Sequence, residues 1–138
     1  SLVDLLNRNE NLDINSLKDS ALSGNKQKTN RLLNDTVVEN DKIIYYINHL
    51  YQRLNKLNDI ISVKNLPLEK TIDNIKPTIF WKDKPVVKEQ AKRWDRTKIN
   101  LMLKKIFNIE IMIKSNSNIQ KDILFKKLII DICEFANS

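Results

Sequence analysis

The sequence is short of the residues that most folds use for tight turns and cross-links, with one Gly, three Pro and one Cys in 138 residues. Gly this scarce argues against a β-sandwich, a dinucleotide-binding crevice or a phosphate loop, which depend on backbone at positive φ. A single Cys excludes an internal disulfide and therefore the disulfide-framed class. No stretch approaches the roughly 18–20 consecutive apolar residues of a membrane span, and the first residues lack a basic region followed by an apolar one. The one histidine, His49, has no Cys, His or paired carboxylates at ligand spacing beside it, and reads as a surface residue. No Ser-His-Asp or Cys-His arrangement and no environmentally tuned pair of carboxylates stands out. No catalytic residue, cofactor site or metal site is therefore expected.

What is present is apolar residue in helical order. Hydrophobic residues make up 41% and charged residues 30%, enough for one core in a chain of this length. The expectation is an all-α bundle of about five to seven helices. Cys133, among Ile129, Ile130 and Ile132, reads as a buried thiol. An unpaired thiol and the absence of a leader point to a reducing, cytoplasmic compartment, with no membrane partner. The formal charge of +7 is uneven. Residues 1–75 hold 10 basic and 10 acidic side chains, whereas 76–138 hold 14 and 7, so any polyanion would meet the second part. The abundance of Lys, Asn and Ile is also what an AT-rich coding bias produces.

Start and stop signals set the expected elements. Asp13 or Asn15 caps a segment through Leu17, Ala21 and Leu22; Gly24 ends it, and Asn25 restarts a second segment to Asn34 with Leu32 and Leu33 inward. Ile43, Ile47, Leu50, Leu54, Leu57 and Ile61 step by four and three, predicting a helix over 38–61 capped by Asn40 or Asp41. Tyr45, Tyr46 and Tyr51 read as half-buried aromatics around this stripe. A linker over 62–67 leads to a short helix over 68–74 headed by Pro67, and Pro77 breaks the chain again. A basic helix over 86–94 precedes one capped by Asp95, with Ile99, Met102, Ile106, Ile109 and Ile113 inward to about Lys114. The last helix, over 119–135, is expected to turn Ile123, Leu124, Leu128, Ile132 and Phe135 inward.

Two of these helices carry more apolar residues than one seam needs. Leu103, Phe107 and Ile111 form a second row on one, and Phe125 and Ile129 on the other. A helix apolar on two sides has two neighbours or an exposed patch, so these five residues are the candidate subunit interface.

The unusual stretch is 79–94, where Phe80, Trp81 and Trp94 interleave with Lys82, Lys84, Lys88, Lys92 and Arg93. Two readings are open. The aromatics could stack bases while Lys88, Lys92 and Arg93 contact phosphate, or they could anchor this segment into the bundle with the charges solvated.

The same stretch carries a family resemblance. Phe80-Trp81-Lys82, Lys84-Pro85, Gln90 and Arg93-Trp94 resemble the F-F-K-x-K-P then Q-x-x-R-W pattern in the C-terminal domain of the bacterial DNA polymerase III delta subunit, a clamp-loader subunit. Upstream, Ala21-Leu22-Ser23-Gly24-Asn25 is similar to the family's A-L-x-G hairpin; downstream, Glu110 to Lys114 is similar to its E-x-x-x-K helix end. Trp81 stands where Phe is more frequent, and Asp83 where a basic residue is common. The resemblance implies a helical collar domain over 13–138 that joins loader subunits into a ring placing the sliding clamp on primed DNA. Residues 1–12 would be the tail of a preceding lid region, and a clamp-gripping module would lie before Ser1. It further implies a non-catalytic subunit of the polymerase holoenzyme. Its partners would be other loader subunits through their collars, the clamp through the preceding module, and DNA indirectly or weakly. The alternative is a small basic helical nucleic-acid-binding module.

Overall fold

The computed structural model describes residues 12–116 and 118–138. Seven α-helices are found among them: α1 (Ile14–Leu22), α2 (Lys26–Asp35), α3 (Ile43–Ile61), α4 (Leu68–Asn74), α5 (Lys84–Arg93), α6 (Arg96–Ser115) and α7 (Lys121–Ala136). Single 3-10 turns, Asn40–Lys42 and Trp81–Asp83, lead into α3 and α5. The fold is an all-α bundle.

Local chemistry accounts for most of the boundaries. The Asp13 carboxylate accepts from the Asn15 and Ser16 amides, the Asn25 side chain from the Lys28 amide, and the Asp95 carboxylate from the Lys98 amide at 2.8 Å. Each satisfies amides that a helix start leaves without intrahelical acceptors. Bonds from Ser16 hold the Asp13 carboxyl below its ordinary pKa, so the cap is ionised at neutral pH. Gly24 sits at φ 72° between α1 and α2, in the left-handed region that L side chains avoid. The expected cap at Asn40 or Asp41 is not made. That segment forms the 3-10 turn, α3 begins at Ile43 rather than Val38, and no side chain caps its first turn.

The core is built around α3. Ile43, Ile47, Leu50, Leu54 and Leu57 are fully buried, and α3 packs against α1, α4, α5, α6 and α7, most extensively against α6. From α6, Ile99, Met102 and Ile106 complete the seam. Fully burying each such side chain contributes about 1.5–3 kcal/mol, and this packing, more than helix propensity, holds the elements together. On the other side, α1 packs on α2, α3 and α7, closing the bundle.

The last helix departs from expectation. Ile123, expected inward, is exposed, while Phe125 and Ile129, expected at the second row, are fully buried together with Leu128 and Ile132. Phe125 packs its ring against Tyr46, 5.4 Å between centroids. Because α7 has a wide apolar face, its periodicity permits several inward faces, and contact with α1, α2 and α6 together selects one. The three tyrosines also part company: Tyr46 is buried, Tyr51 half-buried and Tyr45 exposed. Of the expected lid tail over 1–12, residues 1–11 lie outside the described residues. Leu12 is buried in the core, and its amide donates to the Val37 carbonyl.

Candidate functional site

The segment from Phe80 to Trp94 divides into an inner and an outer half. The inner half is fastened to the α1–α2 hairpin. Trp94 is buried and its indole Nε1–H donates to the Leu22 carbonyl at 2.9 Å. One helical turn earlier, the completely buried Gln90 donates to the Asp19 carbonyl at 3.2 Å and to the Ser23 hydroxyl at 3.3 Å. Its Oε1 accepts from Arg53, whose guanidinium also pairs with Asp19 at 2.8 Å. Arg93 donates to Asn137, 3.4 Å away, and the Asn137 amide donates to the Gly24 carbonyl at 2.8 Å. Gln90, Arg93 and Trp94 thus bond, directly or through Asn137, to polar groups of the half-buried turn around Gly24, including the carbonyl of the fully buried Leu22.

This geometry decides between the two readings for Trp94. Its ring is inside the bundle and is not available to stack a base. The lysines of α5 also have partners. Lys84 pairs with Asp73 at 3.0 Å, Lys88 with Glu69, and Lys92 with Glu89 at 3.2 Å. Two of these pairs tie α4 to α5. Exposed pairs contribute only about 0–1 kcal/mol each, so they orient the short helix more than they stabilise it. The proposed phosphate contacts Lys88, Lys92 and Arg93 therefore each begin with an acidic or amide partner in place.

The outer half is different. Phe80 and Trp81 are 58% and 66% exposed, side by side with ring centroids 5.9 Å apart and planes at 55°. Lys82 Nζ stands 5.3 Å from the Trp81 ring centroid, a cation–π contact. The 3-10 turn closed by the Asp83 amide on the Phe80 carbonyl, at 2.9 Å, presents both rings outward. Pro85, early in α5, lines with Trp81 and Ile72 a shallow groove edged by Glu69, Asp73, Lys84 and Lys88.

On α6, Phe107 and Ile111 are 55% and 48% exposed and Leu103 is half-buried. They recur every four residues and so share one flank of the helix, beside the α3-facing seam. The expected second row is present on α6 and absent on α7, where Phe125 and Ile129 belong to the core and can present no surface to a partner. Ile123 and Ile130 are the exposed apolar residues of α7.

No family model, no curated protein and no solved structure matches this chain. Among the described residues no group of three or more His, Cys, Asp or Glu is placed to hold a metal ion, and no helix is long and apolar enough to cross a membrane.

One feature escaped the sequence reading altogether. A groove of about 520 Å³ lies between the polar side of α3 and the 77–80 segment, lined by Lys18, His49, Gln52, Arg53, Lys56 and Phe80 among others. His49, Arg53 and Lys56 are spaced by four and three on α3, which would have placed them on one face. Nothing in the sequence brings Lys18 of α1 to join them.

Proposed function

We propose that this chain is the collar domain of a clamp-loader subunit of the DNA polymerase III delta kind, a non-catalytic scaffold that helps assemble the ring placing the sliding clamp on primed DNA. The observation that carries the reading is the reciprocal fit of the two segments bearing the resemblance. Of the Q-x-x-R-W residues, Gln90 and Trp94 donate to Ser23 and Leu22 of the A-L-S-G-N hairpin and Arg93 reaches Gly24 through Asn137, as expected if both patterns are parts of one structural unit. The flank of Leu103, Phe107 and Ile111 is the surface offered to a neighbouring collar, since an exposed apolar row on a soluble helical domain suits a protein contact. A stable interface of about 1,200–2,000 Å² lies within the reach of a bundle of this size.

The test is co-expression of this chain with the other collar-bearing loader subunits, followed by affinity capture of one of them. Retention of wild-type chain and loss of the Phe107→Ser/Ile111→Ser variant support the assignment; no retention of the wild type overturns it.

A second reading is favoured by one observation, the exposed Phe80–Trp81 pair with Lys82. Such a platform can stack unpaired bases while nearby cations meet phosphates. In this form the nucleic-acid contact is made by Phe80, Trp81 and Lys82, without Trp94. Fluorescence anisotropy with single-stranded and primed DNA tests it: binding that weakens with salt and with Trp81→Ala supports it, and no binding at low salt removes it.

A further inference from the structure

The groove between α3 and the 77–80 segment holds an unusual lysine. Lys18 is only 7% exposed, and among the described residues its Nζ has no carboxylate within 4.0 Å, only the Asn15 amide oxygen at 3.3 Å. Burying an ammonium that no carboxylate touches is costly, and carboxylates farther off offset that cost only in part. Burial lowers the pKa of Lys18, with the Arg53 guanidinium acting in the same direction; Asp19, Asp83 and Asp13 act against it. His49 is likewise held below its ordinary pKa, by burial and then by Lys18.

The surroundings suit an anion with hydrogen-bonding oxygens. Lys56 reaches across the groove to donate to the Pro77 carbonyl at 2.9 Å, leaving an ammonium at the mouth with further protons to give. Gln52, Asn55 and Thr78 add neutral polar groups, and Phe80 forms part of the wall. Asp59 and Asp83 also line the groove, and Arg53 is already committed to Asp19 and Gln90. The groups left to meet a ligand are therefore the ammoniums of Lys18 and Lys56 and the imidazole of His49, whose N–H can donate and which an anion would favour in its protonated form. The volume, about 520 Å³, is that of a small-molecule site and accommodates a phosphate with an attached organic group.

We infer that this groove is a phosphate-binding site in which Lys18, Lys56 and His49 hold the phosphate oxygens and the wall at Phe80 receives the group attached to it. The inference is independent of the scaffold assignment and shares only Phe80 with the stacking platform. A phosphate could come from a free nucleotide or from a nucleic-acid strand, and the experiment separates the two.

His49 is the only histidine, so its imidazole proton resonances report the site without assignment. The titration is followed by NMR in the full 138-residue chain at matched ionic strength, with inorganic phosphate, pyrophosphate, a nucleoside monophosphate, a 5′-phosphorylated single-stranded oligonucleotide, and acetate as control. Phosphate compounds are expected to shift the resonances saturably and to raise the pH midpoint of His49, while acetate does neither. A monophosphate that binds as tightly as the oligonucleotide identifies a free nucleotide as the ligand class; a much tighter oligonucleotide identifies the strand. Lys18→Met, which keeps the length of the side chain and removes the buried charge, is expected to fold and to weaken binding about ten- to a hundredfold, the equivalent of one charge-assisted hydrogen bond. Lys56→Gln, at the exposed mouth, is expected to weaken it less. A His49 midpoint that ignores every phosphate compound, an equal response to acetate, or unchanged affinity in both variants overturns the proposal.

Discussion

Trp94 and Trp81 are the same residue type in opposite situations, which makes a matched pair of substitutions informative. In Trp94→Phe the indole N–H that meets the Leu22 carbonyl is lost, and a buried acceptor is left without its partner. That costs about 1–3 kcal/mol. The smaller ring also leaves a void between α5 and the hairpin, adding about 1–2 kcal/mol for a site that collapses only in part. The sum is near 3 kcal/mol, a fall in melting temperature of about 10 °C for a domain of this size. Trp81→Phe removes no hydrogen bond, keeps an aromatic face for Lys82 and alters a ring that is 66% exposed, so its effect stays within about 0.5 kcal/mol. Urea unfolding followed by far-ultraviolet circular dichroism measures both. The single tryptophan left in each variant gives a second readout: Trp81 is readily quenched by acrylamide and Trp94 is protected until the chain unfolds. Equal destabilisation by the two substitutions, or equal quenching, would refute the division of this segment into a buried and a presented half.

Other consequences can be measured in the same way. Gly24→Ala is expected to cost about 1–2 kcal/mol through its left-handed backbone alone, and its new methyl would lie 2.8 Å from Asn137 Oδ1. Asn137→Ala relieves the clash but also removes the bonds of Asn137 to the Gly24 and Cys133 carbonyls and leaves the backbone strain, so calorimetry should show the double variant still well below the wild type. For His49, a folded-state pKa below 6.5 means that the unfolded chain binds the proton more readily. Stability therefore falls as pH drops through 6.5 to the folded value, and His49→Gln should flatten that part of a melting-temperature profile. Phe107→Ser/Ile111→Ser removes exposed apolar surface and is expected to leave the urea midpoint nearly unchanged while abolishing capture by partner subunits.

The readable parts of the fold were those fixed by local rules. The periodicity of Ile43 to Ile61, the caps at Asp13, Asn25 and Asp95, the stop at Gly24 and the start after Pro67 each depend on residues within a turn or two. What stayed open or went wrong depends on distant partners. Trp94 is buried because a carbonyl 72 residues earlier accepts its N–H, and Gln90 because Asp19, Ser23 and Arg53 surround it. The inward face of α7 was misjudged for the same reason. A helix with a wide apolar face is oriented by its neighbours, and they turned Phe125 and Ile129 inward and Ile123 out. Lys18 shows the limit from the other side, since a lysine in an amphipathic segment reads as solvated until another helix is laid over it.

The assembly role is tested most directly by light scattering of this chain mixed with the loader's other collar domains at micromolar concentration. The scaffold assignment predicts a mass equal to a defined complex of one copy of this chain with its neighbours, and separate components when Phe107→Ser/Ile111→Ser replaces the wild type. Separate components in the wild-type mixture, with every protein folded, would contradict it.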